Sequence, residues 1–328
     1  MEQAARRLAP FVDKKDILSR KIYRRSVDTR HQTITLVFSV ALETEVPLSD
    51  EALARMDCVR LTVTDPTEGL SAGDECSEAR PVIVGFGPCG MFAALMLAEA
   101  GYRPLVIERG DSVLTRTQRV GEFLRSGVLD TESNIQFGAG GAGTFSDGKL
   151  VTRINDDRCH YVLRRLAEFG APHEILTQAK PHIGTDKLLG VVGAIDRRIR
   201  ACGGDIRYRT KMQAIRLAGG RAVAVVTDQG EIPCGQLLLA IGHSARDTYT
   251  WLRESGFTLT PKPFSVGVRI EHRQADIDRA VYKKGPAIPS LVLPNMPFPS
   301  AWARRLSIPS VCARAARLLP PLRRRGAW

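Results

Sequence analysis

No two of the seven cysteines, at 58, 76, 89, 159, 202, 234 and 312, stand closer than 13 residues, so the chain has no Cys-x-x-Cys. That excludes a zinc ribbon and a redox-active dithiol of the closely spaced kind, and no metal site is expected. Cysteines scattered this way over 328 residues read as reduced, mostly buried thiols of a cytoplasmic protein. Long apolar runs are missing too. The longest, Met91 to Ala98, is eight residues, against the roughly 20 that span a bilayer. The start, MEQAARRLAPF, lacks the apolar stretch of a secretion signal. We therefore expect a soluble chain with no membrane partner. Acid is absent from residues 283–328, which hold nine Lys/Arg and no Asp or Glu. This tail supplies +9 of the formal +12, leaving residues 1–282 (38 basic, 35 acidic) at only +3. A body so near neutral carries no expectation of a nucleic-acid partner. The tail also holds eight of the 19 prolines, a density that forbids a long helix or a central strand. We expect it to be unstructured or out of frame.

What is present divides into further pieces. The 44% apolar content is enough for a large core, and the length suggests roughly two domains. Residues 1–79 read as a small α/β module and linker. Ile34, Leu36, Phe38, Val40 and Leu42 alternate strictly, which predicts a strand with one face on a core. A weaker strand is expected near Val59 to Val63. The cluster Arg20, Lys21, Arg24 and Arg25 reads as a solvated face, because the segment has 11 basic and 14 acidic residues.

Residues 80–282 carry the chemistry. The run Pro81 to Val84 predicts a buried parallel strand, and Gly85, Gly87 and Gly90 follow as G-x-G-x-x-G into a helix over Met91 to Ala100. Gly85 permits the tight turn, Gly87 lets backbone approach a pyrophosphate, and Gly90 allows the helix to pack closely on the sheet. A second strand, Leu105 to Ile107, ends in Glu108, 18 residues after Gly90. A carboxylate there can accept from both ribose hydroxyls of a dinucleotide. A simple NAD domain would continue with short βα units. Here a long amphipathic helix over Asp186 to Cys202 and a strand at Ile206 to Tyr208 come first. A three-stranded meander then spans Met212 to Leu217, Ala222 to Thr227 and Glu231 to Cys234, before a buried strand in Leu237 to Gly242.

That order resembles the FAD domain of glutathione-reductase-like flavoproteins. The segments QFGAGGAGTFSDGKLVTR (136–153), AKPHIGTDKL (179–188), AIGHSARDTY (240–249) and KPFSVGVRIEH (262–272) are similar to the FAD-dependent, or NAD(FAD)-utilising, dehydrogenases, and RRSVDTR (24–30) fits their small leading domain. The resemblance covers roughly residues 10–284. It implies an α/β fold with a Rossmann-like FAD-binding domain and β-meander, preceded by a small α/β N-terminal domain. It implies FAD-mediated two-electron transfer on a small-molecule substrate it does not identify. NAD(P)H is a candidate electron donor, although no second G-x-G-x-x-G exists for it. The family would continue through a large substrate domain, which this chain lacks, so a flavin-binding protein without turnover is a second reading. A tRNA-modifying flavoprotein is a third, which the near-neutral body argues against. The oligomeric state is not legible.

Within the match, Gly85, Gly87, Gly90, Glu108, Arg109, Gly140, Gly141, Gly143, Thr144 and Gly242 are the expected cofactor-binding residues. The glycine-rich stretch that includes Gly138 lets backbone lie flat against a ring or phosphate. Ser146, Asp147 and Lys149 follow with donors and a cation. Lys149 near the flavin N1/C2 carbonyl would stabilise the reduced ring, because charge develops there. A glycine-rich loop with a surface lysine is the alternative. His182 and His243 are the acid–base candidates, histidine being the side chain that exchanges protons near neutral pH. A satisfied structural histidine is the competing reading for each. His31, His160 and His173 have no supporting context. Arg246 and Arg269 are candidate clamps for an acidic substrate. Cys89, where a small alanine-like residue is usual, reads as inert packing.

Overall fold

A computed structural model describes residues 9–28, 35–56, 58–61, 79–145, 148–150, 152, 154, 156, 158–179, 181–262, 273 and 276. It is an α/β protein organised on a four-stranded parallel sheet. The strands are β3 (Val82–Val84), β4 (Leu105–Ile107), β5 (Asp205–Arg207) and β9 (Leu237–Leu239), in the order β5-β4-β3-β9. Three residues per strand suffice to define two faces. Ile83, Val106 and Ile206 point to one side, where they pack with α2 (Pro88–Glu99) and α5 (Thr185–Ala201). Val82, Val84, Leu105 and Ile107 point to the other, against a three-stranded antiparallel meander of β6 (Met212–Ala218), β7 (Arg221–Thr227) and β8 (Gly230–Pro233). The central β3 and β4, covered on both faces, are apolar throughout. The edge strands are not: β5 is Asp-Ile-Arg, and β9 leaves Leu238 39% exposed, so the buried strand expected in Leu237 to Gly242 is only partly buried. α2 is apolar around its whole circumference because it lies inside this packing. α5 has one buried stripe, Leu188, Val191, Val192, Ile195 and Ile199. Two further helices, α3 (Val113–Ser126) and α4 (Arg158–Glu168), flank this layer, and α6 (Arg246–Glu254) follows β9.

The N-terminal unit departs from expectation. β1 (Ile17–Asp28) and β2 (Thr35–Thr44) pair antiparallel as a two-stranded ribbon, followed by the short α1 (Asp50–Arg55). Alternation correctly marked β2 as a strand, but its apolar residues do not rest on a core: Leu36, Val37 and Phe38 are exposed. The ribbon meets the body through backbone bonds of Arg25 with Thr177 and Ala179, and through Tyr23 Oη to His160 Nε2 at 2.9 Å. Residues 58–61 form no strand, and Val59 is fully solvated at 86% exposure, so the predicted strand at Val59 is corrected over its described part. The expectations for the 283–328 tail, KPFSVGVRIEH beyond Lys262, Arg269 and His31 lie outside the described residues. Among the described residues, no helix is long and apolar enough to cross a membrane.

Candidate functional site

The C-terminal ends of β3, β4 and β9 open onto a cavity of about 440 Å³, walled by the loop before α2, the 136–143 segment, the start of β6 and the 242–249 segment. This is where an open parallel sheet offers a ligand crevice. Two of the glycines on its wall, Gly87 and Gly143, differ from others in and beneath it. A Cβ on Gly90 would collide with the Gly85 carbonyl, and one on Gly138 with the Arg116 side chain, so packing alone requires glycine there. Gly87 has an ordinary φ of −77°, and an added Cβ would meet nothing nearer than Gly141 Cα at 3.9 Å. Among the described residues, a Cβ on Gly143 would meet nothing within 4 Å. Both line the cavity. Among the described residues, neither a positive φ nor a crowding neighbour accounts for the missing side chains. Gly87 is also the N-cap of α2, with Pro88 behind it, and offers no side chain to the first-turn N–H groups.

Glu108 is buried at this cavity. Its Oε2 accepts from Phe86 N (2.7 Å), and its Oε1 from Gly110 N (2.9 Å) and Gly138 N (3.0 Å). A carboxylate offers about four acceptor positions. Only one remains, on Oε2, where both ribose hydroxyls were expected to bind. The acid thus also ties together the two glycine-rich loops.

Arg116 was not anticipated. It is completely buried and donates to the carbonyls of Asn134, Ile135, Gly138, Ala139 and Gly141, with its Cζ 4.8 Å from the Phe145 ring centroid. Burial lowers its pKa to about 10, so it remains a cation at neutral pH. It shapes the 134–141 segment from behind. A sequence signal did exist: Val113, Arg116, Val120 and Phe123 fall at helical spacing, which puts an arginine in the apolar stripe of α3.

The expected residues divide. Gly85, Gly87, Glu108, Arg109, Gly141, Gly143, Gly242 and His243 line the cavity. Gly90 packs beneath it. Gly140 is wedged against Thr144 and Val192, and the buried Thr144 hydroxyl points to the Ala139 carbonyl at 3.4 Å, so neither is on the wall. Lys149 and His182 are brought together, but as partners in an isolated antiparallel bridge outside the lining. Arg246 is exposed and also off the wall. Ser146 and Asp147 lie outside the described residues. Cys89 corrects its reading as inert packing: it is exposed and on the wall, one residue after Pro88. Among the described cysteines only Cys234 is buried, so the expectation of mostly buried thiols fails as well.

No family model matches the chain. A Clostridium beijerinckii protein described as "Uncharacterized protein" is 44% identical over 266 residues, covering 80% of this chain and 50% of that one. The chain thus spans about half the length of the curated relative it matches. Among solved structures, Thermovibrio ammonificans THI4 overlaps at a TM-score of 0.37 with 18% identity, over 55% of this chain and 64% of that one. Glycine oxidase from Bacillus cereus overlaps at 0.30 with 13% identity, over 54% and 58%. Lactococcus lactis thioredoxin reductase overlaps at 0.28 with 14% identity, over 49% and 35%. At such loose overlap, function has to be argued from the cavity itself.

Proposed function

We propose that this chain is the FAD-binding part of an oxidoreductase and that the cavity at the sheet's C-terminal edge holds the dinucleotide. The observation that carries the reading is the pair Gly87 and Gly143, two cavity glycines whose φ is not positive and whose added Cβ would meet no described atom nearer than 3.9 Å. The meander in place of further βα units supports FAD over a plain nicotinamide dinucleotide. Gly87 and the first turn of α2 would bind the pyrophosphate, where N–H groups and the helix dipole favour an anion. The remaining acceptor on Glu108 would take one ribose hydroxyl. When bound, FAD supplies two-electron transfer at its flavin ring. His243 stands on the wall with its Nε2 3.3 Å from Ser244 Oγ, a pair able to hold or pass a proton. Lys149 and His182 lie off that wall, so of the two acid–base candidates, His182 and His243, the lining favours His243.

The test is equilibrium dialysis with FAD, paired with peptide-mapped alkylation of Cys89. FAD should protect Cys89, and Gly87→Val and Gly143→Ala should each weaken binding by about tenfold or more, roughly 1.4 kcal/mol. Their thermal midpoints should stay within about 2 °C of wild type, since neither position crowds a side chain. Equal alkylation of Cys89 with and without saturating FAD would end the proposal.

A further inference from the structure

Four charged side chains close a ring beside Glu108. Arg109 Nη1 and Nη2 meet Asp247 Oδ1 and Oδ2 at 3.0 and 2.8 Å, and Arg109 Nε meets Glu132 Oε2 at 2.7 Å. Lys211 Nζ reaches Glu132 Oε1 at 3.1 Å and Asp247 Oδ2 at 2.8 Å. Each carboxylate touches both cations and each cation both carboxylates. Arg109 Cζ also stacks 4.3 Å from the Phe137 ring centroid. The members come from four separate places: the end of β4, the stretch before the glycine-rich segment, the approach to β6, and the first turn of α6. Burial works to raise the Asp247 carboxyl, but Arg109 and Lys211 outweigh it and hold the group well below the usual carboxylate range. Against the effect of burial, Arg109 and Lys211 are in turn held above their ordinary values by the carboxylates, so Asp247 faces two cations at neutral pH.

Asp247 is the member that reaches the far wall. It accepts from Thr248 N at 2.9 Å at the start of α6, and Tyr249 Oη donates to Gly242 O at 3.1 Å. Gly242, His243, Ser244, Thr248 and Tyr249 all line the cavity. The ring fastens this wall to the Glu108 end of the sheet. A dinucleotide in the crevice would sit between surfaces whose separation the ring fixes. We infer that Asp247 is a positioning residue for the cofactor, setting the 242–249 wall through the ring with Arg109, Lys211 and Glu132. The inference rests on the dinucleotide reading of the cavity. Ring members are part exposed, with Asp247 at 45%, so their contribution lies in placement of the wall more than in global stability.

The test compares wild type, Asp247→Asn, Asp247→Glu and Lys211→Met at low and high potassium chloride. Asp247→Asn should raise the FAD dissociation constant about five- to tenfold, mainly through faster release, with Asp247→Glu restoring most of it. Its flavin affinity should also lose part of the salt dependence seen in wild type, because the screened ring is already broken. Lys211→Met should show the same pattern more weakly. In the cofactor-free protein, amides of 242–249 should exchange faster in Asp247→Asn while those of β3 and β4 are unchanged. If wild type binds no FAD, the dinucleotide reading fails by itself, and the exchange measurement still decides whether the ring fixes the wall. Unchanged exchange at 242–249, or unchanged flavin release in Asp247→Asn, overturns the inference.

Discussion

The β1–β2 ribbon and the parallel sheet are built from strands of similar apolar character, yet Phe38 is 46% exposed and Ile83 is 0% exposed. The difference lies in what the chain sets against each strand. After β3 it supplies α2, then α5 on the same face, and the meander on the other. Around the ribbon, the described contacts with the body include a backbone pair at Arg25 and the Tyr23–His160 hydrogen bond. Apolar alternation thus encodes strand formation, while burial depends on partners supplied from elsewhere in the sequence. A two-stranded ribbon is marginal without such cover.

Substitutions in the body and the ribbon should separate by several kcal/mol. The largest loss is expected at Arg116→Met, which removes one buried cation and takes a donor from five carbonyls of the 134–141 segment, of which Gly138 O keeps Gly141 N and Ala139 O keeps the Thr144 hydroxyl. Each buried unpaired group costs about 1–3 kcal/mol, so a total of roughly 4 kcal/mol or more is expected in urea unfolding, after partial relaxation. A loss under about 1 kcal/mol would mean that the 134–141 segment holds its shape without Arg116. Leu95→Ala, in the fully buried face of α2, comes next at about 3 kcal/mol from lost burial and the cavity left behind.

The sequence revealed the body's organisation far better than its surroundings. The boundaries of β4 and the meander, and the long α5, followed from apolar runs punctuated by Gly101, Gly203-Gly204 and Gly219-Gly220. G-x-G-x-x-G located the cavity because its spacing encodes a local turn, a contact and an N-cap within six residues. The charged ring was illegible, since Arg109, Glu132, Lys211 and Asp247 are spread over 139 positions and meet only through the fold. The bridge between Lys149 and His182 was hidden for a related reason: proximity to a glycine-rich motif says nothing of which way a following bridge turns. The second job of Glu108, holding three N–H groups, was equally hidden because two of its partners lie 22 and 30 residues away.

The smallest effect should come from Phe38→Ser on the ribbon. Phe38 pairs with Arg25 across the ribbon, but its ring is nearly half exposed and it belongs to neither buried cluster. An exposed substitution of this kind normally changes stability by no more than about 0.5 kcal/mol. Here a further small term favours the variant, since removing an exposed aromatic from an unpaired-looking edge lowers the tendency of copies to associate. Amide exchange gives the companion measurement: β1 and β2 should exchange through a low-energy local opening, well ahead of β3 and β4, whose protection should approach the global limit. If Phe38→Ser instead costs about 2 kcal/mol, in the range of a buried aromatic, the ribbon's apolar face is covered in solution by something outside the described residues. The contrast between ribbon and sheet would then be one of which cover the structure describes, and the alternation at 34–42 would have been reporting a buried face all along.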